Sequence, residues 1–193
     1  MPQFNNDLKL KAGLERYFSL YHFKDGGYHL KWFTIKVGFV HIPLPNIPAR
    51  VRAVKIHDLH HLLTGYNADL KGEAEIGAWE IASGCGKYYV AWFLNFGSFF
   101  YGMFFFPKPL FKAFLRGRKA EGSLYKGYTY NEALLERSIG QVQEELNINS
   151  DKKNSVFDFV LFFFYVVLFL AFFVLTSYFL CRIFGYLFFV ISD

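Results

Sequence analysis

Between Arg52 and Glu80 the chain reads RAVKIHDLHHLLTGYNADLKGEAEIGAWE, which sets His57, Asp58, His60, His61, Glu73, Glu75 and Glu80 among apolar residues. On a helix, His57 and His61 are four apart and stack one turn above the other. Asp58 lies three before His61, so the His57, Asp58 and His61 side chains fall within an arc of about 100° at the helical period. Ile56, Leu59, Leu62 and Leu63 cover the opposite side. Gly65 stops this helix, and Asn67 and Asp69 turn the chain back. Glu73 then opens a second helix, with Glu80 seven residues on and on the same face. Two imidazoles and two carboxylates from an antiparallel helix pair meet at one point, the outline of a divalent-metal site.

The same letters parse in two ways. One takes His57, Asp58 and His61 and, after eleven intervening residues, Glu73 as metal ligands. The other takes His57, His60 and His61 as a histidine box of the membrane di-iron desaturases and hydroxylases. That class needs several such boxes, and only His22, His29 and His41 remain elsewhere, none beside another His. The box reading therefore fails on ligand count. A polar helix face satisfied by ordinary hydrogen bonds would explain one His beside one Asp, but the whole constellation favours a metal.

The H-D-x-x-H, eleven residues, E pattern resembles the signature of the coenzyme Q (ubiquinone) biosynthesis protein Coq-four family. The likeness continues in Gly65 after the second His, in Gly72-Glu73, in Glu80, and in the late segment LLERSIGQVQEELNI from Leu134 to Ile148. It covers residues 30 to 148. Two features depart from the family pattern: the strongly aromatic stretch from Lys87 to Phe106, and a hydrophobic tail.

That tail is the clearest organisational signal. Val156 to Leu180 is 25 residues with one charge, Asp158, at its start. Such a helix is about 37 Å long, more than the roughly 30 Å hydrocarbon core of a bilayer. Cys181-Arg182 interrupts the run, and Ile183 to Ile191 is too short to cross again. It lies in the far interface or extends a tilted helix. Asp151 to Ser155 is a polar linker. The expected organisation is a helical metal- and lipid-binding domain over 1–150, a linker over 151–155 and a transmembrane segment over 156–193.

Composition agrees with a membrane. Aromatics make up 22 % of the chain, with 26 Phe, far above a soluble average. The net charge of +5 falls in residues 1–150, because Lys152, Lys153 and Arg182 cancel Asp151, Asp158 and Asp193. Basic charge beside aromatic stretches suits an anionic membrane surface, and nothing resembles a nucleic-acid-binding module. Cys85 and Cys181 are the only cysteines, which excludes a disulfide framework.

Within the first 150 residues, Leu10, Leu14, Phe18 and Tyr21 mark an amphipathic helix over Asp7 to Tyr21, with no signal or transit peptide before it. Asp25-Gly26-Gly27 is a turn. Phe33, Ile35, Val37 and Phe39 alternate, and Gly38 bends them into a short hairpin. Three prolines predict an extended linker from His41 to Pro48, with the motif helix starting near Ala49. Tyr88 to Phe106 carries no charge in 19 residues, long enough for a membrane span. However, Ala91, Asn95, Ser98 and Gly102 form a stripe of small or polar residues, which favours a helix of the domain that touches the bilayer. The run PKPLFKAFLRGRKA reads as an interfacial helix, with its rings in the acyl boundary and Lys108, Lys112, Arg116, Arg118 and Lys119 at lipid phosphates. Thr129 to Glu132 and Ser138 to Gln141 are capping boxes of two closing helices.

The fold class expected is mostly α, with a short N-terminal β-hairpin and one C-terminal transmembrane helix. The resemblance implies a polyprenylated quinone precursor as ligand and a metal-assisted oxidative decarboxylation at C1 of its ring. It also implies a place among quinone-biosynthesis enzymes, and leaves room for a homo-oligomer. The metal expected is zinc or iron, held by His57, Asp58, His61 and Glu73, with His60 and Glu80 as orienting groups or proton carriers. The alternative is a non-catalytic scaffold that holds prenyl lipids for partner enzymes. Lys152 and Lys153 before the span, against Arg182 after it, place the bulk of a single-pass chain on the cytoplasmic side.

Overall fold

The computed structural model describes residues 4–23, 26–37 and 40–192. It divides into two compact units, Met1–Asn154 and Ser155–Asp193. The fold is mostly helical, with a two-stranded antiparallel hairpin near the N-terminus and one apolar C-terminal helix.

The first unit begins with α1 (Leu10–Tyr21), whose Leu10, Leu14 and Phe18 are buried, as the periodicity predicts, together with Tyr17, while Tyr21 is half-buried. Gly26 and Gly27 adopt positive φ, as a turn there requires, while Asp25 lies outside the described residues. Strands β1 (Trp32–Val37) and β2 (Val40–Pro45) pair in antiparallel register, Trp32 opposite Pro45 and Thr34 opposite Pro43. The expected turn at Gly38 and the strand residue Phe39 lie outside the described residues. Two of the three prolines of the predicted linker, Pro43 and Pro45, thus sit in a strand. A two-stranded ribbon needs hydrogen bonds on only one side of each strand, so proline is tolerated where its nitrogen faces outward.

Helices α2 (Pro48–Thr64) and α3 (Leu70–Ser83) follow, joined by a short turn. Pro48 stands at the first helical position of α2, where its missing N–H costs nothing, and Gly65 ends the helix at φ 75°. Then come α4 (Tyr89–Phe105), α5 (Pro107–Lys119), α6 (Glu132–Leu135) and α7 (Ile139–Glu145). Helix α3 is the centre of the unit: it is buried from Ile76 to Ser83 without a break, so it has neighbours all round.

The small-residue stripe of α4 is the seam on which it meets α3. Ala91, Asn95 and Gly102 are buried, Ser98 lies against Gly77, and Gly102 lies against Ala74. Tyr89, Phe93, Phe104 and Phe105 remain exposed.

The interfacial reading of α5 needs correction for its apolar face. Leu110 and Phe114 are fully buried, and Phe114 meets Phe99 edge-on at 6.3 Å between ring centres. These rings fill the domain core between α5, α3 and α4. Two of the cations are also used internally. Arg116 donates to the carbonyl of Thr64 (2.7 Å) and Arg118 to that of Ala82 (3.4 Å), satisfying carbonyls at the C-terminal ends of α2 and α3. Of the expected capping boxes, Ser138 with Gln141 is present at α7. At α6 the cap is Asn131, which accepts from the Leu134 N–H, and not Thr129.

The second unit is α8 (Val156–Ser192), 37 residues without a break at Cys181-Arg182. Residues Val156–Ile183 have a mean hydropathy of 2.9, and this is the one helix among the described residues long and apolar enough to cross a membrane. Its lone acid is a cap: Asp158 Oδ2 accepts from the Ser155 N–H (2.8 Å) and hydroxyl (3.1 Å). Thr176 returns its hydroxyl to the Phe172 carbonyl (2.9 Å), so the helix exposes no unpaired hydroxyl there.

Candidate metal centre

Ala53, Ile56, Leu59, Leu62 and Leu63 bury the inner face of α2 and fix its rotation. His57 and His61 are thereby turned toward the start of α3, with Nε2 of one 3.2 Å from Nε2 of the other. Glu73, in the first turn of α3, reaches back across them. Its Oε1 is 3.3 Å from His61 Nε2 and its Oε2 is 3.4 Å from His57 Nε2. The Asp69 side chain caps α3 at the Gly72 N–H (2.8 Å), which sets where Glu73 begins. Gly72 itself has no room for a side chain: a Cβ would lie 2.0 Å from the Asn67 carbonyl oxygen. Gly72→Ala must therefore push α3 off the turn. We expect a loss of about 1–3 kcal/mol of stability, with weakened metal binding because Glu73 moves with it. Thermal unfolding and metal titration of that variant check both.

Three donor groups, His57, His61 and Glu73, thus share one point, with one ligand atom from each lying within 4.8 Å of the others. Bonds of about 2.1 Å to a tetrahedral cation put its ligand atoms about 3.4 Å apart. The 3.2 Å between the two Nε2 atoms fits that spacing, and Glu73 meets the rings through different oxygens, Oε1 3.3 Å from His61 and Oε2 3.4 Å from His57, so that it faces the cation position with both.

The far nitrogens of both rings are engaged, and this orients the near ones. His57 Nδ1 is 3.0 Å from Glu80 Oε1, and His61 Nδ1 is 3.0 Å from the carbonyl of Tyr66. A carboxylate and a carbonyl can only accept, so Nδ1 must be the donor in each ring. The Nε2 lone pairs are then left for a cation, the arrangement that metal-binding histidines adopt. Tyr17 stacks on His61 at 5.4 Å and holds the ring in its plane.

Glu80 is wholly buried and carries four donors. Oε1 takes the Nδ1–H of His57 and that of His60 (2.6 Å), while Oε2 takes the Asn95 amide (2.5 Å) and the Tyr125 hydroxyl (3.3 Å). Burial alone would raise its carboxyl, but His57 and His60 draw it well below the ordinary carboxylate range. His60 is equally committed: its Nε2 accepts from the Leu124 N–H (2.9 Å), and burial pushes its pKa down. Both nitrogens of His60 and both oxygens of Glu80 are therefore occupied by the protein. Neither has an atom left over for a further partner in this arrangement, and Glu80 is the one that touches a member of the donor triad, through His57 Nδ1.

Asp58, expected beside the ligands, is not in this group. Its Oδ2 accepts from the Tyr28 hydroxyl at 2.5 Å, and burial raises its carboxyl. One residue further round the helix than His57, its short side chain faces the segment between α1 and β1. His22, His29 and His41 are exposed and stand apart from the triad.

Sequence reading missed Tyr28, Tyr66, Asn95, Leu124 and Tyr125. Asn95 carried a signal, as the lone amide in the apolar α4. Tyr28, Leu124 and Tyr125 come from irregular segments distant in sequence, where no spacing rule applies, and Tyr66, in the turn just after α2, contributes a backbone carbonyl that no residue type signals.

The charge of the triad has a measurable consequence. Burial lowers the pKa of His57, but Glu80 and Glu73 outweigh it and hold that pKa well above the ordinary value. Glu73 is drawn well below its ordinary range, since His61 and His57 overcome the effect of burial. In the metal-free chain the His57 proton stabilises the fold, fully below about pH 6.5 and progressively less as pH rises through the raised pKa. A cation must displace this proton. Metal affinity should therefore climb with pH up to that pKa and level off above it, with a proton released on binding near neutrality. Calorimetry in buffers of different ionisation enthalpy measures that proton, and its absence would contradict the assignment.

No protein-family model, no curated protein and no solved structure matches this chain.

Proposed function

We propose that this chain is a membrane-anchored protein of the Coq-four type, acting in ubiquinone biosynthesis on a polyprenylated quinone precursor. The reaction is a metal-dependent oxidative decarboxylation at C1 of the ring with dioxygen as the oxidant: the C1 carboxyl leaves as carbon dioxide, one oxygen atom of dioxygen becomes the C1 hydroxyl, and the other is reduced to water by an external two-electron donor. One observation carries the reading: the H-D-x-x-H, eleven residues, E motif is folded so that His57, His61 and Glu73 present their donor atoms to one point. Two imidazoles and one carboxylate suit zinc or iron, and the same donor set with open positions is that of non-haem iron oxygenases. With Asp58 held by Tyr28, three protein ligands leave room for substrate, which four on a tetrahedral metal would not. The bound cation would supply Lewis-acid polarisation of a ring carboxylate or phenolate.

The chain's own residues do the rest. Glu80 and the Tyr66 carbonyl keep the two imidazoles aimed, and Tyr17 keeps His61 in plane. Helix α8 delivers the domain to the bilayer, where a prenylated substrate resides. The Lys and Arg bias around the span puts Met1–Asn154 on the cytoplasmic side as a single-pass, tail-anchored protein.

The abundant exposed aromatics of α4 also favour a second reading, a scaffold that binds prenyl lipid, and other quinone-biosynthesis enzymes, without turnover. The test is to supply a C1-carboxylated prenyl substrate to the metal-loaded full chain in nanodiscs and follow carbon dioxide release. Under the enzymatic reading, Glu73→Ala retains bound lipid and releases no carbon dioxide. Wild-type protein that binds the lipid but never turns it over favours the scaffold.

A further inference from the structure

We propose that the cleft between α5 and residues 148–154 binds the phosphate of an anionic lipid headgroup. The cleft has a volume of about 430 Å³, with Lys112, Arg116 and Lys119 on one wall and Asn149, Ser150 and Asn154 on the other. No carboxylate lines it, and the chain has no acidic residue between Glu80 and Glu121. The three cations are spaced i, i+4 and i+7, so they share one face of α5.

The site is partly built in advance. Arg116 is fixed by the Thr64 carbonyl, by Asn149 Oδ1 (2.9 Å) and by the Tyr66 ring, 5.3 Å from the guanidinium carbon. Because the Asn149 oxygen is taken by Arg116, its amide NH2 is the group left to donate. Lys112 is exposed and Lys119 half-exposed, and neither makes a hydrogen bond or ion pair among the described residues. Two lysines without an ion pair beside a fixed arginine, with amide and hydroxyl donors opposite, are the chemistry that recognises a phosphate ester.

The position of the cleft along the chain selects the source. Asn154 Nδ2 donates to the Leu115 carbonyl (2.9 Å), tying this segment to α5, and the apolar helix starts two residues later at Val156. Two residues reach about 7 Å at most. One wall of the cleft is therefore joined through two residues of chain to the start of the apolar helix, so that lipid headgroups come within its reach where that helix enters a bilayer. This inference rests on α8 crossing a membrane and is independent of the metal centre.

The experiment uses the full chain in detergent, with lipid retention read by native mass spectrometry. The probes are short-chain phosphatidic acid, phosphatidylcholine with the same acyl chains, and inorganic phosphate. Wild-type protein should retain phosphatidic acid over phosphatidylcholine. The double variant Lys112→Gln/Lys119→Gln should weaken phosphatidic acid by about thirtyfold, from the loss of two interfacial cations. Lys71→Gln/Lys87→Gln, with the same change in charge at exposed positions elsewhere, should leave retention unchanged. Equal losses in both double variants would reduce the effect to bulk charge and overturn the site, as would unchanged retention in the first. Displacement of the lipid by equimolar inorganic phosphate would overturn the headgroup assignment.

Discussion

Glu80→Ala should destabilise the folded domain by about 3–5 kcal/mol, because it strips the acceptor from several buried donors at once. His57, His60, Asn95 and Tyr125 converge on this one carboxylate; Tyr125 has a second acceptor in the Ala53 carbonyl at 3.2 Å and Asn95 a weak one in Cys85 Sγ at 3.4 Å, while the Nδ1–H groups of His57 and His60 have Glu80 as their acceptor. Against a total stability of roughly 5–15 kcal/mol for a domain, such a loss is a large fraction. Glu80→Gln keeps the shape, but turns an NH2 toward groups that are themselves donors. It should cost less, about 1–3 kcal/mol, and should lower metal affinity by about 10–100-fold, because His57 loses its orienting partner. Thermal unfolding of the detergent-purified full chain distinguishes these cases. A Glu80→Ala protein as stable as wild type would mean that the buried network contributes nothing.

Deleting Val156 to Asp193 should convert attachment to the membrane from permanent to salt-sensitive. The 28 residues from Val156 to Ile183 supply the one candidate span among those described, and α4 spends its small-residue face on α3. What remains after deletion is contact between Lys or Arg side chains and anionic lipid, which salt screens over a distance of about 8–10 Å. Fractionation in high salt and in carbonate reads the difference, and attachment that survives both would assign α4 a membrane role of its own. On the intact chain, a cysteine placed after Asp193 should be labelled from outside the cell, and one at Asn6 should not. The reverse pattern would invert the topology.

The parts of this molecule governed by local rules were legible in its sequence. The i, i+4 histidines, Gly65 at a helix end and the Ser138 capping box each state their geometry within a few residues, and α2 and α7 follow them. The apolar run of α8 states where the helix begins in the same way, but not its end, since α8 continues through Cys181-Arg182 to 37 residues. Composition failed where two environments look alike to a side chain. The rings of α5 read as lipid-facing, yet Leu110 and Phe114 fill a protein core, since a bilayer and a core reward the same surface. The prolines of β2 forbid a helix and predict extended chain, and the extended chain is a strand because one side of it needs no hydrogen bonds. The second layer of the metal centre was the least legible. The Leu124 N–H reaches His60 across 64 residues, and only tertiary packing brings them together. Asp58 shows the same limit: helical spacing put it beside His57, and Tyr28 decided what it binds.

The account stands on His57, His61 and Glu73 holding a divalent cation, and elemental analysis tests this most directly. Full-length protein, purified in detergent, loaded with zinc or iron and dialysed, should carry one divalent metal ion per chain. His61→Ala and Glu73→Ala should each carry none while remaining folded, since alanine is well tolerated in both helices and Glu73 is 41 % exposed. Metal content that is unchanged in these two variants would contradict the central claim.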